Sequence, residues 1–324
     1  MGGVHCESTA CRNLLAAEGL TLSEPMIFGL GSGIGFTYFE HADRKTGLRE
    51  PLVWGKNRPG EIARNLAEVL QIRLVVEETV NRGRAWRNLI GRLDVGKPYG
   101  LKLDRYYLDY LEIKVHHYAH YLVACGYDDE FLYVVDEGSP QVRLTSLKGV
   151  ELARSVKGFL SSKNLGFYFE IRPIVDLEEA VRLALRRSAS QMLQTDVGFV
   201  GVRGIRKFAE RLGSWKDNPN FKYHLLSHYL QWERLGTGGG GYRKLYSRFL
   251  VEASTVLGKE RLRSAGELYD SIGSKWEEID EQLKSLCEES VINVAALMEA
   301  SKKIRRQAAL EEMVFKMVQE TVTY

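Results

Sequence analysis

Residues 120–137 read HYLVACGYDDEFLYVVDE. Two runs rich in Val, Leu, Tyr and Phe flank Asp128-Asp129, the pattern of a tight β-hairpin. His120 opens the first strand and Asp136 closes the second. With a three-residue loop, Tyr127 faces Phe131, Leu122 faces Asp136, and His120 is diagonal to Asp136 on the same face. A two-residue loop puts them on opposite faces, because a slip of one residue flips every side chain. On one face, the pair makes two thirds of a Cys-His-Asp triad: the aspartate orients the imidazole and the imidazole deprotonates a thiol. Cys6 is the candidate thiol.

Cys6 precedes or opens a short amphipathic helix, ACRNLLAAE, with Ala10, Leu14 and Ala17 on one stripe and Gly19 at the C-cap position. Backbone N–H groups and the positive end of the helix dipole favour a thiolate there. A buried inert thiol is the alternative, and Cys11, inside the helix stripe, reads as packing. SEPMIFGL is a second short helix with Pro25 in its first turn. In GLGSGIGF the glycines at 29, 31, 33 and 35 follow no strand and form no GxGxxG, so close backbone approach is a better reading than a phosphate cradle.

Residues 43–60, charged and carrying Pro51 and Pro59, read as a surface loop. A helix through Ile62, Leu66 and Val69 follows, then a strand IRLVVEE, a helix through Trp86, Leu89 and Leu93, and a strand YGLKLD ending at Asp104. His116 and His117 read as solvated loop residues. Beyond the hairpin, VRLTS is a strand, LKGVELARS a helix and GFYFEIRP a closing strand. Helix first, then strands with helices between, is an α+β pattern with an antiparallel sheet.

From about Val175 the pattern is helical throughout: DLEEAVRLALRRSASQML, GIRKFAERLGSW, FKYHLLSHYLQWERL, YRKLYSRFLVEASTVL, ELYDSIGSKWEEIDEQLKSL and the segment from Val291 to Val322. The chain thus divides into an α+β domain over 1–174 and an all-helical domain over 175–324. Gly236 to Gly241, broken only by Thr237, interrupts two helices and reads as a flexible surface loop, with an anion cradle or a lid hinge as alternatives.

The chain has 324 residues, 44% hydrophobic and 27% charged, with net charge +3, enough for two domains and giving no nucleic-acid footprint. No apolar run approaches the ~18 residues of a membrane span. The four cysteines, 6, 11, 125 and 287, form no CxxC pair and no metal-ligand spacing, so no metal or other cofactor is expected. Without a secretory signal, reduced thiols in a cytoplasmic protein follow.

HCESTACRNLL followed by LTLSEPMIFGLGSGIGFTYF resembles the N-terminal domain of the butirosin biosynthesis protein H family. The hairpin is also similar to the His and Asp segment of bacteriocin-processing cysteine peptidases, which have a papain-like fold. VGFVGVRGIRKFAERL and GGGGYRKLYSRFLVEA resemble the uncharacterised helical domain that commonly follows. The resemblance implies a papain-like catalytic domain and a cysteine-dependent acyl transfer from a thioester, carried by an acyl-carrier protein in the family's best-understood member, to a small amine. Carried over by motif, Cys6 is the nucleophile, His120 the base and Asp136 its orienting partner. The peptidases carry an oxyanion-hole glutamine just before the cysteine, and only Met1 to His5 stand there in this chain. The Cys6 amide then needs a second donor. His5, Ser32, Gly33 and Asp104 are the candidate oxyanion or substrate contacts. A cysteine peptidase or amidase with the same triad, and a non-catalytic binding protein on a papain-like scaffold, remain as alternatives. A carrier protein and a homodimer are open as partners; nucleic acid and membrane are not expected.

Overall fold

In chain order the protein forms α1 (Cys6–Ala17), α2 (Glu24–Leu30), β1 (Ile34–Ala42), β2 (Arg49–Lys56), α3 (Glu61–Val69), β3 (Arg73–Glu77), α4 (Arg82–Leu93), β4 (Tyr99–Leu103), β5 (His120–Tyr127), β6 (Phe131–Val135), β7 (Arg143–Ser146), α5 (Leu147–Ser155) and β8 (Gly166–Glu170). The helices α6 (Leu177–Leu193), α7 (Gly201–Leu212), α8 (Phe221–Tyr229), α9 (Arg243–Leu257), α10 (Glu260–Glu288) and α11 (Val294–Thr323) follow. This computed structural model describes all residues except 1, 44–45, 57, 113, 115, 158–160, 172–174, 195, 290–292 and 324. The start of the last helical segment at Val291 and the end of the expected first domain at 174 lie outside the described residues. The molecule is α+β, with a helical C-terminal region. Among the described residues, no helix is long and apolar enough to cross a membrane.

Two compact units divide the chain, Met1–Ile27 with Pro59–Asp176, and Phe28–Arg58 with Leu177–Tyr324. The first is built on an antiparallel sheet in the order β3-β8-β4-β5-β6-β7. Leu101, Leu103, Leu122, Leu132 and Val134 of this sheet bury a common core with Leu89 of α4 and Val150 and Ala153 of α5. Local chemistry sets the helix starts. The Asn81 side chain accepts from Arg84 N at 2.8 Å to cap α4, and the Ser146 hydroxyl accepts from Gly149 N at 3.1 Å to cap α5. Helix α1 packs on β5 and supplies the cap of another helix: buried Glu7 accepts from Gly60 N at 3.0 Å and Ala63 N at 3.2 Å, at the start of α3. A carboxylate at a helix N-terminus also meets the positive end of the dipole.

The hairpin combines the parities of the two loops considered for it, that of a two-residue loop at the turn and that of a three-residue loop at its open end. Asp128 N donates to Phe131 O at 2.9 Å, and the Asp128 carboxylate accepts from Glu130 N at 2.8 Å and Phe131 N at 2.7 Å, so Asp128 stands opposite Phe131 across a tight turn at Asp129-Glu130. Next to the turn, Tyr127 pairs with Leu132 and Gly126 with Tyr133, a register that sends His120 and Asp136 to opposite faces. The register then shifts: Ala124 pairs with Val134 and Val123 with Val135, leaving Cys125 as the extra residue of a bulge. That one residue restores the parity of a three-residue loop and returns His120 and Asp136 to one face.

In the second unit, β1 and β2 form an antiparallel hairpin among the helices. Residues 43–60 are therefore not all surface loop; Pro51 and the flanking charges hide a strand whose Val53 is buried. Phe36 and Tyr38 of β1 pack on Phe208, and Phe36 also meets Trp232 and Trp276. The helices of 177–324 thus complete their core with a hairpin from an earlier part of the chain. At the centre, fully buried Arg243 pairs with Glu311 through Nε–Oε1 at 3.0 Å and Nη2–Oε2 at 3.1 Å. The Tyr269 hydroxyl and Trp276 Nε1 donate to the same carboxylate at 3.1 and 2.8 Å.

The glycine run, expected as a flexible loop, cradle or hinge, is packed. A Cβ on Gly240 would stand 2.5 Å from Gly273 O, and one on Gly241 would stand 2.2 Å from the Trp232 ring. The buried Thr237 hydroxyl donates to Trp232 O at 2.6 Å, and Gly241 O accepts from Arg243 at 2.7 Å. Close approach, as read for the earlier glycines, is also what Gly29 serves: a Cβ there would meet the Phe249 ring at 2.0 Å.

Candidate active site

Cys6 is the first residue of α1 and is buried. His5 precedes it as the N-cap, with extended backbone and Nδ1 accepting from Ser8 N at 3.4 Å. The first backbone N–H groups of a helix have no partner within it, so the Cys6 amide points out of the helix start beside its own thiol. The segment leading into α1 is held by a residue that the sequence places only within the second short helix. The Glu24 carboxylate, buried, accepts from Val4 N at 3.0 Å, His5 N at 2.9 Å, Ser8 Oγ at 3.0 Å and Thr9 Oγ1 at 3.1 Å. Four donors on one carboxylate fix the turn in which the thiol sits.

His120 and Asp136 are both buried, with Nε2 to Oδ2 at 2.9 Å. The Cys6 sulfur lies within 4.8 Å of a ring nitrogen of His120. Since Nε2 is taken by the carboxylate, Nδ1 is the nitrogen left for sulfur, the reverse of the assignment in serine peptidases. Asp136 has two further donors. The Tyr110 hydroxyl reaches Oδ2 at 2.6 Å and Glu137 N reaches Oδ1 at 2.7 Å. Tyr110 escaped the sequence reading because it lies in the tyrosine-rich connection before the hairpin, where no periodicity marks one tyrosine out.

The electrostatics favour charge on both members. Burial disfavours the imidazolium, but the Asp136 charge and hydrogen bond, reinforced by the hydrogen bond and charge of Cys6, raise His120 well above its ordinary range. Burial pushes Asp136 upward, yet the His120 charge and the donors from His120, Tyr110 and Glu137 N hold it below its usual value. Burial and the neighbouring carboxylate raise the Tyr110 phenol, so the shared proton stays on Tyr110. Gly138 N donates to Gly3 O at 2.7 Å, tying the turn after Asp136 to the segment before Cys6.

The other candidates take different places. Asp104, one residue beyond the Leu103 that pairs with His120, is buried and accepts from Tyr106 N at 3.2 Å and His117 N at 2.9 Å; His116 Nδ1 lies 2.6 Å from its other oxygen. It shapes the approach to β5. His116 and His117 are exposed, as expected, with His116 stacked on Tyr106 at 4.1 Å. Ser32 and Gly33 belong to the second unit, where Ser32 N donates to Gly29 O at 2.8 Å and Gly33 N to Phe28 O at 2.9 Å. Both amides take part in closing α2. Three-dimensional proximity also assembles what linear spacing did not show: ligand atoms of Cys6, His120 and Glu137 all lie within 4.8 Å of one another.

The fold and site define an α+β protein in which a helix start presents a cysteine to a buried His–Asp pair on a hairpin. Two family profiles match the sequence: butirosin biosynthesis protein H, N-terminal, over residues 5–137, and a domain of unknown function (DUF4872) over residues 148–318. The chain belongs to this butirosin biosynthesis protein H-like family, N-terminal domain and following domain together. The first match runs from His5 to Glu137 and so takes in Cys6, His120 and Asp136. No curated protein matches the chain.

Proposed function

We propose that the protein is a biosynthetic cysteine acyltransferase, papain-like in its first domain, moving an acyl group from a thioester to a small amine through a Cys6 acyl-enzyme. The observation that carries the reading is His120, with the Cys6 sulfur within 4.8 Å on one side and Asp136 hydrogen-bonded at 2.9 Å on the other. The family's name, which speaks of butirosin biosynthesis, supports a place in specialised metabolism.

Cys6 gives its proton to His120 on attack. The Cys6 sulfur attacks the thioester carbonyl, and the developing oxyanion meets the Cys6 amide at the start of α1. Collapse breaks the donor's C–S bond, and the departing thiol takes the proton from His120. The amine then attacks the Cys6 thioester, gives a proton to His120, and the acyl–Cys6 bond breaks to leave an amide and a thiolate. Asp136 keeps the imidazole oriented in both half-reactions and stabilises its charge. The first step exchanges one thioester for another, so the protein's work is to position the amine and exclude water. An acyl-carrier protein is the proposed donor partner.

Iodoacetamide alkylation at pH 6, with each cysteine located by mass spectrometry, tests the nucleophile: Cys6 labels faster than exposed Cys125, and His120→Ala removes the advantage. Acyl-thioester and amine mixtures then separate transfer from hydrolysis. An amide product supports the proposal; free acid alone, with or without amine, assigns the triad to a hydrolase. Equal labelling of Cys6 in the wild type and His120→Ala overturns catalysis and leaves a binding scaffold.

A further inference from the structure

The mechanism above leaves Glu137 without a task. Its backbone is fixed on both sides, with its own N–H on Asp136 Oδ1 at 2.7 Å and the next amide, Gly138 N, on Gly3 O at 2.7 Å. Its carboxylate is thereby held beside the thiol and the imidazole, all three ligand atoms within 4.8 Å of one another.

We infer that Cys6, His120 and Glu137 form a zinc site, in which the ion masks the thiol and leaves a fourth position open. The donor set suits this metal. Thiolate, imidazole and carboxylate together match borderline-soft Zn²⁺, whereas Mg²⁺ and Ca²⁺ take oxygen ligands. Tetrahedral zinc with bonds of about 2.0–2.3 Å sets its ligands roughly 3.3–3.7 Å apart, which these side chains reach with shifts of about an ångström. The surroundings suit it equally. Asp136 on His120 Nε2 is a carboxylate–histidine–metal arrangement once Nδ1 turns to the ion, and Tyr110 orients that carboxylate in turn. On binding, zinc displaces the one proton shared between Cys6 and His120 Nδ1 into solvent and forms Zn–S, Zn–N and Zn–O bonds; no electrons move.

The site is defined by the three ligands whether or not Cys6 is a nucleophile, so its test stands apart from that of acyl transfer. The full chain, stripped with EDTA, is titrated with ZnCl₂ against a chromophoric zinc chelator, and alkylation of Cys6 is followed alongside with Cys125 as the reference. The expected result is one strongly bound zinc per chain, with protection of Cys6 but not Cys125 that EDTA reverses. Glu137→Gln, close in shape to the native residue, is expected to weaken zinc binding about 10- to 100-fold, each variant being normalised to its own labelling rate without metal. Absence of competition with the chelator in the wild-type protein overturns the site. Equal zinc affinity in wild type and Glu137→Gln overturns the ligand set. If Cys6 proves unreactive, the chelator titration alone decides.

Discussion

His120–Asp136 and His228–Asp280 have the same formula and the same geometry: imidazole Nε2 to a carboxylate oxygen at 2.9 Å, both partners buried, one pair in each unit. Their charges are opposite. His120 is raised well above its ordinary range by Asp136 and Cys6, whereas burial pulls His228 down to about 3. The aspartates diverge likewise: Asp136 is held low by His120, Tyr110 and the Glu137 amide, while burial pushes Asp280 up to about 8. Beside Asp280 stands Glu233, which burial and the Asp280 carboxyl push up to about 9, so these two acids share a proton and His228 stays neutral. A His–Asp contact therefore carries no charge state of its own; the third group sets it. Where that group is a thiol and two neutral donors, the pair is an ion pair. Where it is another acid, the pair is part of the core.

The largest test of this contrast is Asp136→Asn against Asp280→Asn. An amide still occupies the space but no longer stabilises an imidazolium. Alkylation of Cys6 near pH 6 is expected to fall about 100-fold or more in Asp136→Asn. In Asp280→Asn the rate should stay within ~2-fold of wild type, because that pair holds no charge the thiol uses. Equal losses in the two variants would show that the thiol depends on general stability and break the comparison.

Next in size is Tyr110→Phe, which removes a hydrogen bond to an ionised buried carboxylate while keeping the ring. Bonds to charged groups are worth about 1.5–3 kcal/mol, so urea unfolding should show a loss in that range. The remaining partners, His120 and the Glu137 amide, keep Asp136 in place, so Cys6 reactivity should fall less than ~10-fold. A drop as large as that of Asp136→Asn would promote Tyr110 from a positioning residue to the dominant control of the site.

A pH dependence of stability sharpens the second half of the comparison. Asp280 and Glu233 bind a proton more tightly folded than unfolded, so their contribution is complete below the unfolded values near ~4 and is lost as pH rises toward 8 and 9. His228 works the other way: it is neutral when folded down to about 3, so its contribution is present above ~6.5 and is lost as pH falls. The two slopes oppose each other below ~6.5, and only the acid slope survives above it. Between pH 6.5 and 8 the acid pair should therefore cost about 1–2 kcal/mol of stability, counted as one shared proton. Glu233→Gln, which cannot ionise, should flatten that interval in denaturant melts; an unchanged slope would place the titration elsewhere.

How much of this was legible in the sequence follows from how local each signal is. Helix α5, predicted over LKGVELARS, matches residue for residue, because Ser146 caps it and the apolar spacing is clear. The three triad candidates were legible through residue type and position, Cys6 at a helix start and His120 and Asp136 at the ends of strands. Glu24 and Tyr110 were not, since their roles depend on a carboxylate folding back on Val4 and a tyrosine reaching across from outside the hairpin. Strand β2 was hidden by its Pro51 and its charges, and the second unit's use of residues 28–58 has no local mark at all. His228 and Asp280, 52 residues apart in sequence, looked like ordinary members of two amphipathic helices.

The smallest expected effect concerns the residue that makes the first pair possible. Cys125 is the extra residue between the two registers of the hairpin, and it is exposed, its sulfur donating to Tyr133 O at 3.4 Å. What the site needs from it is one additional residue in the strand, which flips the parity of every position on the N-terminal side and brings His120 to the face of Asp136. Its side chain contributes no burial to the core and only a weak sulfur hydrogen bond. Cys125→Ala should therefore change stability by less than ~0.5 kcal/mol and leave Cys6 labelling unaltered. A larger effect on Cys6 would mean that the bulge is maintained by the thiol's bond to Tyr133 O. In that case the charged His–Asp pair would depend on chemistry at the far end of its hairpin, whereas the neutral pair, supported by helices on both sides, has no such dependence.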